Sequence, residues 1–443
     1  MLADTSRDVA EAAWRWVLAQ VGGDGSPWIP ESVPSQVPGP PEQRDGLHSG
    51  IGGLALALAE VRATRAWSDE EQTLAAALAD RLQARTATAT AYDYFDGLVG
   101  DLASLVALDA DGADAVVDRL IVLAAGDGWT QDVVGPPRFR PAARISDATL
   151  GTGSVLLGGL WARRHGVARS DELVEHAAEV LMGEAEDVPA GLRWRFVPMR
   201  FRTEEDPTEM PNWSHGQAGI AAALALASAE LGRPAWVEAA RSGAEHLVSL
   251  GDTSDGGLSV PRYVPHRAID EEPFALGWCH GASGTSLLFA ALEHAGVPDV
   301  AGATPGEWRG RCLTTVHTSG IPERLRPGFW DNDGRCCGTA GVGDIVLDAW
   351  QQHGRRADLD LALRLADALV RNAQVDGPHA WWRFVEHRAA SPLLPPGVGW
   401  MQGAAGIAAY LFRVDRVLEH GPAAAAVPRL DTWWAGPGAR PAP

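Results

Sequence analysis

Cysteine is scarce: the chain has four in 443 residues, Cys279, Cys312, Cys336 and Cys337. So few in so long a chain exclude a disulfide framework. No run approaches the roughly 18 uninterrupted apolar residues that a membrane helix needs. The N-terminal stretch MLADTSRDVAEAAWRWVLAQV carries charges throughout, which reads as an amphipathic helix and not a signal peptide. A reducing, cytoplasmic setting is expected, where free thiols persist and can bind metal. Positive charge is also short: 37 Lys and Arg against 57 Asp and Glu leave a formal charge of −20. That balance argues against nucleic acid and against an anionic membrane face. It suits a basic peptide partner, although solubility alone accounts for it equally well. With 46% hydrophobic and 21% charged residues, the composition is that of a globular protein, long enough for one large core or two ordinary domains.

What is abundant is glycine, 50 residues, and it recurs in phase. A Gly-x-x-Gly followed by an apolar run appears as SGIGGLALALAEV, DGLVGDLASLVAL, HGQAGIAAALALA, HGASGTSLLFAAL, CGTAGVGDIVLDAW and QGAAGIAAYLFRV. A degenerate copy, LGTGSVLLGGLWA, has Ser154 in place of the second glycine. The first glycines are Gly50, Gly97, Gly151, Gly216, Gly281, Gly338 and Gly403, at intervals of 47 to 65 residues. A unit of that size holds two helices and their connections. The runs after the glycines are apolar nearly all round, so those helices should be buried. The intervening stretches 68–83, 170–185, 234–251 and 356–373 are amphipathic, with Ser68 and Ser170 at expected N-caps. One buried and one amphipathic helix, seven times over, predict an all-α fold, a seven-fold α/α toroid; a helical solenoid is the other arrangement. Each glycine is expected to supply unusual φ and close approach in the turn before its helix. The expected layout is one domain over 1–420, with an irregular insert at about 183–213 in which RWRFVPMRF is extended, and a Pro/Ala-rich tail over 421–443.

Aligned on the first glycine, the residue before it is Ser49, Asp96, Leu150, His215, His280, Cys337 or Gln402. The residue before that is His48, Phe95, Thr149, Ser214, Cys279, Cys336 or Met401. In a toroid these positions converge at the mouth of the inner barrel, just ahead of helix N-termini that favour thiolates. Cys279, Cys336 and Cys337 then suggest soft coordination of one zinc ion, three protein ligands leaving a fourth position for substrate. The other readings are a buried pair of small apolar side chains, or a vicinal disulfide between Cys336 and Cys337. Cys312 lies outside the repeats. His215 and His280 occupy the repeated mouth position, and Asp93 lies near the same rim, either orienting a histidine or substrate amide or capping its helix.

These residues resemble a known family, the lanthipeptide (LanC-like) cyclases. The resemblance rests on Trp278-Cys279-His280-Gly281, Arg335-Cys336-Cys337-Gly338, Asn212-Trp213-Ser214-His215-Gly216, Tyr92-Asp93 and Gly399-Trp400-Met401-Gln402-Gly403, and runs from about residue 46 to 412. It implies a seven-fold α/α barrel with zinc at its mouth. It also implies addition of a peptide cysteine thiol to dehydroalanine or dehydrobutyrine, giving a lanthionine or methyllanthionine ring. Cys279 and Cys336 match two cysteine ligands, and Cys337 stands where a histidine is common. His215 matches the catalytic histidine and Asp93 a rim aspartate; His280 is a further catalytic candidate. Two departures are Ala275 where many members carry arginine, and His280 where tyrosine is frequent. The implied partners are a dehydrated precursor peptide and a separate dehydratase. Alternative readings are addition of glutathione or another free thiol to dehydroamino acids, a carbohydrate- or prenyl-processing toroid enzyme, and a non-catalytic toroid scaffold with structural zinc.

Overall fold

The computed structural model describes residues 2–23, 26–33, 41–205, 208–266, 273–323, 332–385, 391 and 393–437. Residues 206–207 of the expected insert and 438–443 of the expected tail lie outside them. In chain order the helices are α1 (Leu2–Leu18), α2 (Pro41–Arg44), α3 (Leu54–Thr64), α4 (Asp69–Thr86) and α5 (Leu98–Leu108). Next come α6 (Ala113–Leu123), α7 (Thr152–Arg164), α8 (Ser170–Gly183), α9 (Gln217–Leu231) and α10 (Pro234–Leu250). The series ends with α11 (Ala282–His294), α12 (Pro305–Thr318), α13 (Thr339–His353), α14 (Arg356–Asn372) and α15 (Ala404–His420). Short antiparallel hairpins pair β1 (Glu186–Val188) with β2 (Gly191–Arg193), β3 (Gln374–Asp376) with β4 (His379–Trp381), and β5 (Phe384–Val385) with β6 (Leu393–Leu394). No helix among the described residues is long and apolar enough to cross a membrane.

The helices start where the glycine repeat says they should. Gly151, Gly216, Gly281, Gly338 and Gly403 are the N-cap residues of α7, α9, α11, α13 and α15. Of the two expected reasons for glycine, unusual φ is corrected and close approach holds. All five have negative φ, a backbone that other residues adopt readily. What excludes a side chain is close approach: a Cβ on Gly216 would sit 1.3 Å from the Met210 carbonyl oxygen, and one on Gly284 would sit 1.8 Å from that of Trp278. The turn folds back under the helix it precedes, and only a hydrogen fits between them.

Contacts divide the chain into two compact units. The first comprises Met1–Thr88, Gly100–Gly112 and Gly320–Arg429. In it α13 packs on α14, and α15 lies beside α13 and α3. The outer partner of α15 is α1, which supplies the amphipathic helix that the last repeat lacks downstream. Ser68 caps α4 in a reciprocal box with Glu71, as expected. A buried ionic cluster fills this unit. Asp344 meets Arg335 at 2.5 Å, Arg413 at 2.5 Å and Arg429 at 2.9 Å, while Arg416 pairs with Glu60.

The second unit comprises Ala89–Val99, Ala113–Ser319 and Leu430–Pro443. Here α7 packs on α8, α9 on α10 and α11 on α12, with α9 touching both α7 and α11. α9 is buried from Gln217 to Ser228, as its all-round apolar sequence requires. The expected cap at Ser170 is displaced by one residue: Arg169 is the N-cap, at φ 59°, and its side chain pairs with Glu172 and Asp118. The insert also differs from expectation. Its strands end at Arg193, and Met199–Phe201 form a 3-10 turn after Pro198 instead of extended chain. Val197 and Phe201 pack into a small apolar cluster with Val134, Ala143 and Ile145, and this burial bends the segment. In the tail, Leu430, Trp433 and Trp434 are buried, and the Trp434 indole nitrogen donates to the Leu287 carbonyl at 3.0 Å.

Candidate metal centre and acid–base site

The turns before the inner helices are joined by backbone hydrogen bonds from one repeat to the next. In the second unit Tyr94 N donates to Thr149 O at 3.0 Å, and Ser214 N to Cys279 O at 2.8 Å. In the first, Cys336 N donates to Met401 O at 2.9 Å, and Met401 N to His48 O at 3.0 Å. Side chains at equivalent repeat positions are therefore held at a fixed spacing by main chain, a rigid support for a site.

Cys279 and Cys336 are buried and Cys337 is exposed; none of the four cysteines is in a disulfide. The Cys336 and Cys337 sulfurs are 3.5 Å apart, so the vicinal disulfide is absent. Among the described residues Cys279, Cys336 and Cys337 form a group able to hold a metal ion, with their sulfurs within 4.8 Å of one another. Sulfur ligands at about 2.3 Å around tetrahedral zinc stand roughly 3.8 Å apart, so the donor set fits with little adjustment. Three thiols with no oxygen donor among them favour a soft metal. His280 is not part of that group. Cys312 is fully buried on α12, where burial pushes its thiol well above the ordinary range.

An acid–base pair stands in the second unit. His215 Nδ1 lies 2.7 Å from Asp147 Oδ2. Thr149 Oγ1 is 3.3 Å from the same nitrogen and 3.1 Å from the same carboxylate oxygen. Asp147 is wholly buried, and its Oδ1 accepts the main-chain N–H of Leu150 at 2.7 Å and of Thr149 at 3.3 Å. Phe196 meets the His215 ring edge-on at 5.8 Å, and the His280 ring lies 5.4 Å from it. Tyr263 flanks His280 at 6.3 Å.

Asp93 makes the equivalent turn one repeat earlier. Its Oδ1 accepts from Phe95 N at 3.0 Å and Asp96 N at 2.9 Å, and its Oδ2 faces Gln131 Nε2 at 3.5 Å. Burial raises its carboxyl above the ordinary range. The carboxylate bonded to His215 is thus that of Asp147, which sequence reasoning passed over. The signal was there: Asp93 and Asp147 each stand four residues before the first glycine of a repeat. The third repeat looked degenerate because Leu150 and Ser154 break its pattern, and its aspartate drew no notice.

Comparisons with known proteins agree with this picture. Residues 213–416 match the family model described as lanthionine synthetase C-like protein. No match is found among curated proteins. Among solved structures, nisin cyclase is similar with a TM-score of 0.58 at 15% identity, over 86% of this chain and 90% of that one. The Lin0763 protein from Listeria innocua is similar with a TM-score of 0.51 at 11% identity, over 94% and 98%. At such identities the likeness shows the fold alone, and that fold is the all-α toroid expected from the repeat.

Proposed function

We propose, from the match of residues 213–416 to the lanthionine synthetase C-like family model, that the chain is a zinc-dependent peptide cyclase of that family. Its reaction is the addition of a peptide cysteine thiol to a dehydroalanine or dehydrobutyrine of the same peptide, closing a thioether ring. The observation that carries this reading is the group of three cysteine thiols, Cys279, Cys336 and Cys337, brought within 4.8 Å of one another. The likeness to a protein named nisin cyclase supports the peptide as substrate.

Zinc held by these thiols would supply an open coordination position and lower the pKa of a substrate thiol. Without such help a cysteine of pKa about 8.5 is only about 3% thiolate at pH 7. The new bond joins sulfur to the β-carbon of the alkene, and the electron pair displaced onto the α-carbon side must take up a proton. His215 is the group to deliver it. With Nδ1–H donated to Asp147, the other ring nitrogen is left for substrate, and the Asp147 carboxylate offsets the charge of the protonated ring. Thr149 holds both partners from the side. His280, beside His215, is the second candidate proton donor.

The test is a cyclisation assay on a dehydrated peptide, read by loss of alkylatable thiol at unchanged mass, with metal analysis in parallel. About one zinc per chain and zinc-dependent ring closure are expected. A metal-free protein that closes rings at the full rate overturns the proposal.

A further inference from the structure

The first unit contains a cavity of about 220 Å³. Its lining includes the polar residues His48, Ser49, Gln402 and Glu31 and the apolar residues Phe384 of β5 and Leu394 of β6. Two short pairings build it. Val398 N donates to Glu31 O at 3.2 Å and Val33 N to Pro396 O at 3.0 Å, laying the segment around residue 32 along the one that ends at Gly399. Gly397, Gly399 and Gly403 form its floor. A Cβ on Gly399 would come within 2.9 Å of the Ser49 backbone, so the floor cannot carry side chains without moving a wall.

The cavity's position gives it meaning. Gln402 and Ser49 occupy the same place in their repeats as Cys337 does in its own. The chain of main-chain bonds from Cys336 to Met401, and from Met401 to His48, makes Gln402 the next residue along from Cys337 and Ser49 the one after. Gln402 and Ser49, which follow Cys337 in this order, both line the cavity. Its volume is below the roughly 300–1,000 Å³ of pockets that enclose a whole small molecule, so it takes one side chain.

Resting on the cyclase reading, we propose that this cavity is a subsite for a lysine or arginine side chain of the peptide substrate, next to the residues that react. The methylene stem lies against Phe384 and Leu394. The cationic head meets the Glu31 carboxylate and the acceptor atoms of Ser49 and Gln402, with the ring face of Phe384 adding attraction. Glu31 is the sole formally charged residue among the described lining residues. A net charge of −20 draws a basic peptide from a distance and repels an acidic one.

Binding of fluorescein-labelled synthetic peptides to the zinc-loaded protein, read by anisotropy, tests this. Three peptides share one sequence with a single cysteine and carry lysine, norleucine or glutamate two residues away. A fourth is the lysine peptide with serine for cysteine. The lysine peptide should bind about ten-fold more tightly than the norleucine peptide, and the glutamate peptide more weakly still. Glu31→Gln should abolish the lysine preference while leaving the zinc content and the cysteine-over-serine preference intact. Equal binding of lysine and norleucine peptides, or a preference that survives Glu31→Gln, overturns the subsite. Loss of the cysteine-over-serine preference with the lysine preference retained would instead count against the cyclase reading and leave the subsite standing.

Discussion

Replacing Asp147 by asparagine separates its two tasks. The amide oxygen can still accept the N–H groups of Leu150 and Thr149, so the turn should persist. The negative charge against His215 Nδ1 is lost, and with it the orientation of the ring. The expected outcome is a folded, zinc-loaded protein whose cyclisation rate falls roughly 10²- to 10⁴-fold, as for loss of general-acid function. An unchanged rate would place the proton donor elsewhere. Cys337→Ala addresses the metal. Because Cys337 is exposed, its truncation costs little packing, so circular dichroism and the melting temperature of the apoprotein should hold while zinc content drops. The cysteines could be read from the sequence because repeat alignment places them side by side. For Asp147 the sequence marks the position, four residues before Gly151, but not the task, which appears only when its carboxylate is seen to bridge from its own turn to a histidine 68 residues later.

Among the elements, the starts of five inner helices were legible from the glycines, and of the two reasons expected for those glycines close approach holds and unusual φ does not. Periodicity marks where a helix starts, but it cannot distinguish a glycine needed for φ from one needed for space. That distinction has a test. Gly284→Ala drives a Cβ to 1.8 Å from the Trp278 carbonyl oxygen on a turn that carries Cys279. Denaturation should show a loss of about 1–3 kcal/mol or more. Gly310 sits in α12 with nothing within 4 Å of its Cβ position. Gly310→Ala should be neutral or stabilise by up to about 1 kcal/mol. Equal effects at the two sites would refute the steric account. The insert was harder to read. RWRFVPMRF has strand-like composition, but Val197 and Phe201 are claimed by an apolar cluster with residues 134–145, and local propensity gives way to that burial.

At the scale of the whole chain, the toroid class follows from counting repeats, but the pairing of α1 with α15 does not, since the two are some 400 residues apart and no periodicity links them. The buried ions were equally hidden, spread over Glu60, Arg335, Asp344, Asp348, Arg413, Arg416 and Arg429. All 37 positive side chains of this protein are arginines, whose planar fork suits such networks. Acid should take the first unit apart in order. Burial alone would push the Glu71 carboxyl up, yet the bonds it accepts from Arg65, Ser68 N and the Trp14 indole outweigh that and bring it down to about 2. Because its folded value is depressed, Glu71 stabilises fully above its ordinary value of about 4.5 and loses that contribution as pH falls toward 2. Asp344 is opposed by burial too, but Arg429, Arg335 and Arg413 depress it further still, so the inner ionic cluster should outlast the Glu71 bonds. Trp14 lies on α1, so the helix that covers α15 should loosen first. Between pH 4.5 and 2, limited acid proteolysis should cut within residues 2–18 before helical circular dichroism is lost. Glu71→Gln should show a weakened α1 already at neutral pH. Cleavage that coincides with global unfolding in both proteins would mean that α1 and the core melt as one.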